Sequence, residues 1–212
     1  MYDRRVPAED LDLLPLARVP RQARSREKVE AALAAATDLV RTEGVEALTL
    51  PRVAEHAGLS VGAVYQYLPD RDAIIAVLVA RYHARFEEVL DGVVERVRRT
   101  ASAGSPDPLA DLLDEVERIY AEEGVARALR AVEGSGPAAE RRAHKDRMTA
   151  KVADLLVLTG LAPAGRARGV ARLVFTAADG VLHEAFGLED DERTALLREL
   201  RAMLRGYLAP AD

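Results

Sequence analysis

A chain of 212 residues with no cysteine has no thiolate for nucleophilic attack, metal binding or disulfide formation. Its other metal-capable side chains fall at helical i,i+4 spacing in three places: Glu140 with His144, Asp179 with His183, and His83 with Glu87. That spacing sets both members of a pair on one helix face, as a pair of metal ligands requires. A metal centre needs several such ligands to converge, and these are single pairs spread along the chain. There is no Glu-x-x-His repeat of a di-iron bundle, no glycine-rich phosphate loop after a strand and no serine in a Gly-x-Ser-x-Gly elbow. The residues therefore predict no metal, no cofactor and no catalytic centre, and hence no enzyme.

Charge is the next source of chemistry. Arg18, Arg21, Arg24, Arg26 and Lys28 are opposed over their stretch only by Glu27, inside a chain whose net charge is -5. The negative total argues against a protein that coats nucleic acid indiscriminately, and the basic run taken alone reads as a solvated helix start. The first twenty residues carry Asp3, Glu9, Asp10 and Asp12 without a continuous apolar stretch, unlike a secretory signal. No run is long and apolar enough to span a membrane, and the absence of cysteine suits a reducing cytoplasm.

The elements that position these groups are helices. Aromatic residues make up 4% of the chain, β-branched residues rarely cluster, and Ala, Leu, Glu and Arg recur at helical spacing, which predicts an all-α fold of about nine helices. Residues 1–22, with Pro7, Pro15 and Pro20, read as a flexible arm. A first helix starts near Ser25, buries Val29, Leu33, Ala36, Leu39 and Val40, and ends at Gly44. Thr49 then caps a short helix with Pro51 in its opening turn and Val53, Ala54 and Ala57 inward. Gly58 supplies a sharp turn, and Ser60 caps a second short helix that turns Val64 inward. Two short helices joined by a glycine-containing turn make a helix-turn-helix, the core of a domain over 23–69.

From 70 to 212 the pattern predicts a second, larger helical domain. Asp70 caps a long helix whose apolar stripe runs from Ile74 to Val97. Shorter helices are expected over 109–120 and 125–132, and longer ones over 138–158, 166–186 and 190–207. Within the last two, Val170, Leu173, Val174, Ala177, Val181 and Ala185 form one stripe, with Gly169, Ala178 and Gly180 allowing close approach, and Leu197, Leu200, Leu204 and Tyr207 form another. Such stripes either form a dimeric four-helix bundle or complete the monomer core.

The segment Leu48-Thr-Leu-Pro-Arg-Val-Ala-Glu-His-Ala-Gly-Leu-Ser-Val-Gly-Ala-Val-Tyr-Gln-Tyr-Leu-Pro-Asp-Arg-Asp-Ala-Ile74 resembles the DNA-binding signature of the TetR family of bacterial repressors. The family's order of Thr, Val/Ile-Ala, Ala-Gly-Val/Leu-Ser, a small residue, an apolar residue and Tyr, then Pro-x-Lys, is met except at its last residue, which is Arg71. The resemblance covers Arg24 to about Leu78, and beyond it the chain is similar to the family in helix number and length. It implies that the helix from Ser60 to Tyr67 enters the major groove while the Thr49 helix crosses the backbone. Thr49, Ser60, Tyr65 and Tyr67 would then hold phosphates, with charge from Arg52 and Arg71. Gln66 would pair with adenine, Val61 and Ala63 would touch thymine methyls, and Gly62 would let the backbone approach. Pro51, where some relatives carry a base-reading side chain, shifts the reading onto the second helix. Two tyrosines two residues apart on a short helix cannot both face one interior. The basic segment from Arg18 would reach a minor groove or flanking phosphates.

The resemblance further implies a homodimer on a pseudo-palindromic operator in double-stranded DNA, and a small-molecule effector that releases it. Tyr82, His83, Phe86, Tyr120 and Phe175, with His183 and Glu184 as polar options, either line the effector pocket or fill the core. The alternative is a helical interaction protein of the same fold without DNA binding.

Overall fold

The computed structural model describes residues 11, 14–100, 107, 109–110, 113–114, 117–118 and 138–209. Among them are seven α-helices, one 3-10 turn at Val45–Ala47 and no strand. The helices are α1 (Ala23–Glu43), α2 (Leu50–His56), α3 (Val61–Tyr65), α4 (Arg71–Thr100), α5 (Ala138–Leu158), α6 (Ala164–Ala185) and α7 (Asp190–Leu208). The helix expected over 109–120 falls largely outside the described residues, although the six that are described there are helical. The one expected over 125–132 lies wholly outside them. The described residues divide into two compact units, and within α4 the division falls between His83 and Ala84.

In the first unit, α1 forms because Val29, Ala32, Leu33, Ala36, Leu39 and Val40 repeat at helical spacing in an alanine-rich run, and all are buried. It starts at Ala23 rather than Ser25, whose N–H instead donates to the Gln22 carbonyl at 2.9 Å. It ends at Gly44, where φ is 85°. The described part of the segment read as a flexible arm is docked: Leu11 and Pro20 are buried, and the Ala17 N–H donates to the Tyr67 carbonyl at 3.0 Å. Prolines there mark irregular backbone, and the hydrogen bond to Tyr67 ties that backbone down.

Helix α1 packs on α2 and α3. Helix α2 closes with two capping bonds, Gly58 N–H to Glu55 carbonyl at 3.1 Å and Leu59 N–H to Ala54 carbonyl at 2.8 Å. This closure needs the left-handed backbone of Gly58, φ 64°. The Ser60 hydroxyl accepts from the Ala63 N–H at 3.3 Å and starts α3. Asp70 does the same for α4, accepting from Ala73 N–H at 2.7 Å. Leu33, Leu39, Leu48, Val53, Leu68 and Ile74 are fully enclosed, and a half-buried ion pair between Arg81 and Glu30 at 2.9 Å ties α4 to α1.

In the second unit, α6 packs on both α5 and α7. Its core is Met148, Val152, Leu155 and Leu156 of α5, Ala167, Ala171, Val174 and Leu182 of α6, and Leu200, Leu204 and Leu208 of α7. Charge sets the register of α4 against α5. Both Glu87 oxygens are engaged, one with His144 Nδ1 at 2.8 Å and the other accepting from Arg147 Nε at 2.8 Å. Four residues further along each helix, Lys151 pairs with Asp91. On α7, Arg201 holds Asp114 and Glu117 at 2.5 and 2.7 Å, and Arg205 holds Asp107 at 2.6 Å.

Burial opposes ionisation of Glu87, but its hydrogen bonds from Arg147 and His144 outweigh that cost and hold its carboxyl below the ordinary value of 4.5. Folding thus favours the ionised form, so this stabilisation is whole above pH ~4.5 and is lost as the pH falls through the lowered folded value. Glu87→Gln is expected to lower the urea midpoint near neutral pH by an amount equivalent to about 1–3 kcal/mol. The gap between parent and variant should close below pH ~4.5; a gap independent of pH would contradict this account.

Candidate nucleic-acid interface

The residues expected to meet DNA sit at the start of α2 and along α3. Thr49 is the exposed N-cap of α2, and its hydroxyl makes no capping bond, which leaves it available to an outside acceptor. Ser60, Val61 and Gly62 open α3 and are exposed, while Ala63 is half-buried. A side chain on Gly62 would meet nothing within 4 Å, so the free chain leaves open space there. Val64 is the inward anchor of α3. Helix α3 is shorter than the span Ser60 to Tyr67: Gln66 is its exposed C-cap and Tyr67 lies beyond it.

The two tyrosines part company. Tyr65 is 52% exposed, whereas Tyr67 is 6% exposed and its carbonyl receives the Ala17 N–H. Residues two apart on a helical turn point in different directions, so Tyr65 faces out while most of Tyr67, the other tyrosine read as a phosphate donor, is enclosed.

The cations are engaged within the chain. Both terminal nitrogens of Arg52 donate to Glu43, Nη1 to Oε2 at 2.9 Å and Nη2 to Oε1 at 2.6 Å. This fork holds the Glu43 carboxyl below its ordinary range and raises Arg52. Arg71 donates to the Val45 carbonyl at 3.0 Å and lies 3.4 Å from Glu46. Sequence reasoning missed Glu43 and Glu46 because each lies on a different element from its cation, and neither separation has a helical period.

The expected pocket residues divide between the units. Tyr82 and His83 are buried in the first, with ring centroids 6.0 Å apart. Phe86 is buried and Phe175 half-buried in the second, and Tyr120 lies outside the described residues. His183 Nδ1 is enclosed without a hydrogen-bond partner; Glu184 is exposed.

The paired stripes divide by exposure. Val174, Leu200 and Leu204 are enclosed by their own chain and have no surface left for a partner, while Val170, Ala177, Val181 and Leu197 are half-buried. The most exposed members of the two stripes are Leu173 at 52% and Tyr207 at 46%, joined by Met203 at 48%. A spacing argument finds an apolar stripe but does not say which body covers it. Sequence reasoning missed Met203, for which the available signal was its i,i+4 spacing from Tyr207.

Comparison with known proteins places this arrangement. Residues 32–78, from within α1 into α4, match the model of the tetR family of bacterial regulatory proteins, and residues 106–208 match the tetracyclin repressor-like C-terminal domain. The chain is similar to a TetR-family transcriptional regulator from Streptomyces coelicolor at 25% identity, covering 87% of this chain and 97% of that one with a TM-score of 0.64. It resembles a TetR-family regulator from Mesorhizobium loti MAFF303099 at 20% identity, covering 89% and 98%, with a TM-score of 0.65. It also resembles SmeT, solved as a triclosan complex, at 21% identity, covering 85% and 90%, with a TM-score of 0.58. No curated protein matches the chain.

An all-helical protein with a helix-turn-helix at its N-terminal end and a separate helical unit after it is the class these matches define. The chain belongs to the TetR family of transcriptional regulators. It is a DNA-binding regulator rather than an enzyme. None of its described helices is long and apolar enough to cross a membrane.

Proposed function

We propose that this protein is a homodimeric cytoplasmic repressor that reads a pseudo-palindromic operator through α3 and leaves it when a small molecule binds the second unit. The observation that carries this reading is the outward set on α3. Ser60, Val61, Gly62, Tyr65 and Gln66 are all exposed on a helix anchored from behind by Val64, which is the layout a major-groove reader needs. Thr49 and Tyr65 position the protein on phosphates, Gln66 reads an adenine edge, and Val61 with Ala63 meets thymine methyls. The basic segment from Arg18 to Lys28 adds phosphate or minor-groove contacts.

The exposed Leu173, Met203 and Tyr207, flanked by Gly169 and Gly180, are the surface that a second copy covers. Val170, Ala177, Val181 and Leu197 lie at its edge. SmeT's complex with triclosan supports an effector of small-molecule type, and the enclosed, unpartnered His183 Nδ1 offers it a polar contact within the second unit. The effector acts by its differential affinity for the DNA-competent and DNA-incompetent states.

Labelled duplexes taken from the DNA flanking the gene test this. At least one should bind with an affinity that falls steeply with salt. Gln66→Ala should cost about 1–3 kcal/mol on that duplex and flatten its preference over single-base variants. Tyr65→Phe should weaken all duplexes alike, because a phosphate contact carries no base information. Failure of every flanking fragment to bind at low salt would favour an interaction protein of the same fold.

A further inference from the structure

The short connection after α1 places acidic groups against both cations assigned to the DNA backbone. Glu43, the last residue of α1, grips Arg52 of α2 through two hydrogen bonds of 2.9 and 2.6 Å. Three residues on, Glu46 lies 3.4 Å from Arg71 at the start of α4, whose guanidinium is also held by the Val45 carbonyl at 3.0 Å. The two grips differ in kind. Arg71 is fastened to a backbone carbonyl, which leaves its charge intact, and Glu46 is almost wholly in water. Arg52 faces a carboxylate fork to fork, the arrangement guanidinium groups also make with phosphate. Both partners of that fork are open to solvent, at 38% and 43% exposed, so a phosphate can compete for the same edge of the guanidinium.

We propose that Glu43 is a positioning residue that occupies the phosphate-binding edge of Arg52 and so sets the affinity for DNA below what the cations would otherwise give. The proposal rests on the DNA-binding reading above. A cation neutralised by its own chain releases no counterion from DNA, so Arg52 adds nothing to the salt dependence while Glu43 holds it. Freed from Glu43, Arg52 takes a phosphate oxygen. The contact it then makes is sequence-independent, so the gain falls equally on operator and bulk DNA and narrows no base preference. Glu43 thereby keeps the nonspecific background weak without touching the residues that read bases.

The probe is a random-sequence DNA duplex, which needs no knowledge of the operator, titrated by fluorescence anisotropy across a series of salt concentrations. Glu43→Gln keeps the shape of the side chain and removes its charge. It is expected to steepen the slope of log affinity against log salt by about 0.9 for every chain bound, roughly an eightfold gain in affinity at ~0.1 M salt. Arg52→Ala should reduce the slope by the same amount when added to Glu43→Gln, which returns it to the value of the parent chain. Asp154→Asn, an exposed charge removal on α5, controls for net charge and should leave the slope as it was. Circular dichroism on each variant confirms the fold.

If the parent binds the duplex but Glu43→Gln binds no tighter, or Asp154→Asn has the same effect, the role of Glu43 is overturned and the DNA-binding reading stands. If adding Arg52→Ala to Glu43→Gln leaves the steepened slope as it was, the freed phosphate contact is not made by Arg52 and the proposal is again overturned. If neither the parent nor any variant binds at low salt, the DNA-binding reading itself falls and takes this inference with it.

Discussion

Gly62→Leu is expected to abolish operator recognition while leaving the free protein as stable as the parent or slightly more so. A side chain at Gly62 meets nothing within 4 Å and the position is exposed, so the folded chain accepts it without repacking. Replacing glycine inside a helix is itself favourable by up to ~1 kcal/mol. On DNA the situation reverses. Gly62 sits at the first turn of α3, between Val61 and Ala63; in the proposed docking the backbone approaches the groove here, and an isobutyl group would hold the helix away from the base edges. Losing the fit to two base pairs at ~1–3 kcal/mol each lowers operator affinity by on the order of a hundredfold or more. Thermal melting should give an unchanged or raised Tm, and anisotropy on the operator duplex should show the loss. Full retention of operator affinity would mean that α3 does not enter the groove by this face.

The second large effect is expected from Leu173→Glu combined with Met203→Glu. Both side chains are about half exposed in the isolated chain, so their replacement should change the stability of the monomer fold by no more than ~0.5 kcal/mol each. In a two-fold dimer the same patch is used by both subunits, and four buried carboxylates would be forced into one interface. Light scattering after size exclusion should report the mass of a single chain. Operator affinity should fall by roughly 10²–10⁴, the advantage that a second linked reading head confers. Leu200→Ala provides the contrast. Its side chain is enclosed by its own chain, so it should cost about 2–5 kcal/mol of folding stability instead of acting on association. Equal effects on fold and on mass from both changes would refute the division between inner and outer faces of α7.

The helix-turn-helix was legible because its determinants act over a few residues. Ser60 caps α3 through Ala63, Asp70 caps α4 through Ala73, and Gly58 takes the left-handed backbone that closes α2. Each is a local hydrogen bond or a local steric rule, so residue type and position suffice to read it. The start of α1 was less legible. Ser25 looks like a cap, but the helix begins before it at Ala23 without any side-chain cap, its end held by Arg26 Nε on the Pro20 carbonyl at 3.1 Å.

The sequence by itself determined that the chain is helical and that one short helix presents Ser60 to Gln66 behind a capped turn. These follow from periodicity, composition and bonds spanning three or four residues. Only the tertiary structure decided which apolar side chains face inward. The distinction between Leu200 and Met203, or between Val174 and Leu173, depends on the bodies packed against α6 and α7, and an apolar stripe looks the same whether its own chain or a second copy covers it. The pairing of Arg52 with Glu43 and of Arg71 with Val45 was likewise decided there. These partners lie nine and twenty-six residues apart and meet only because α1 packs across α2 and the Val45 turn folds back toward the start of α4.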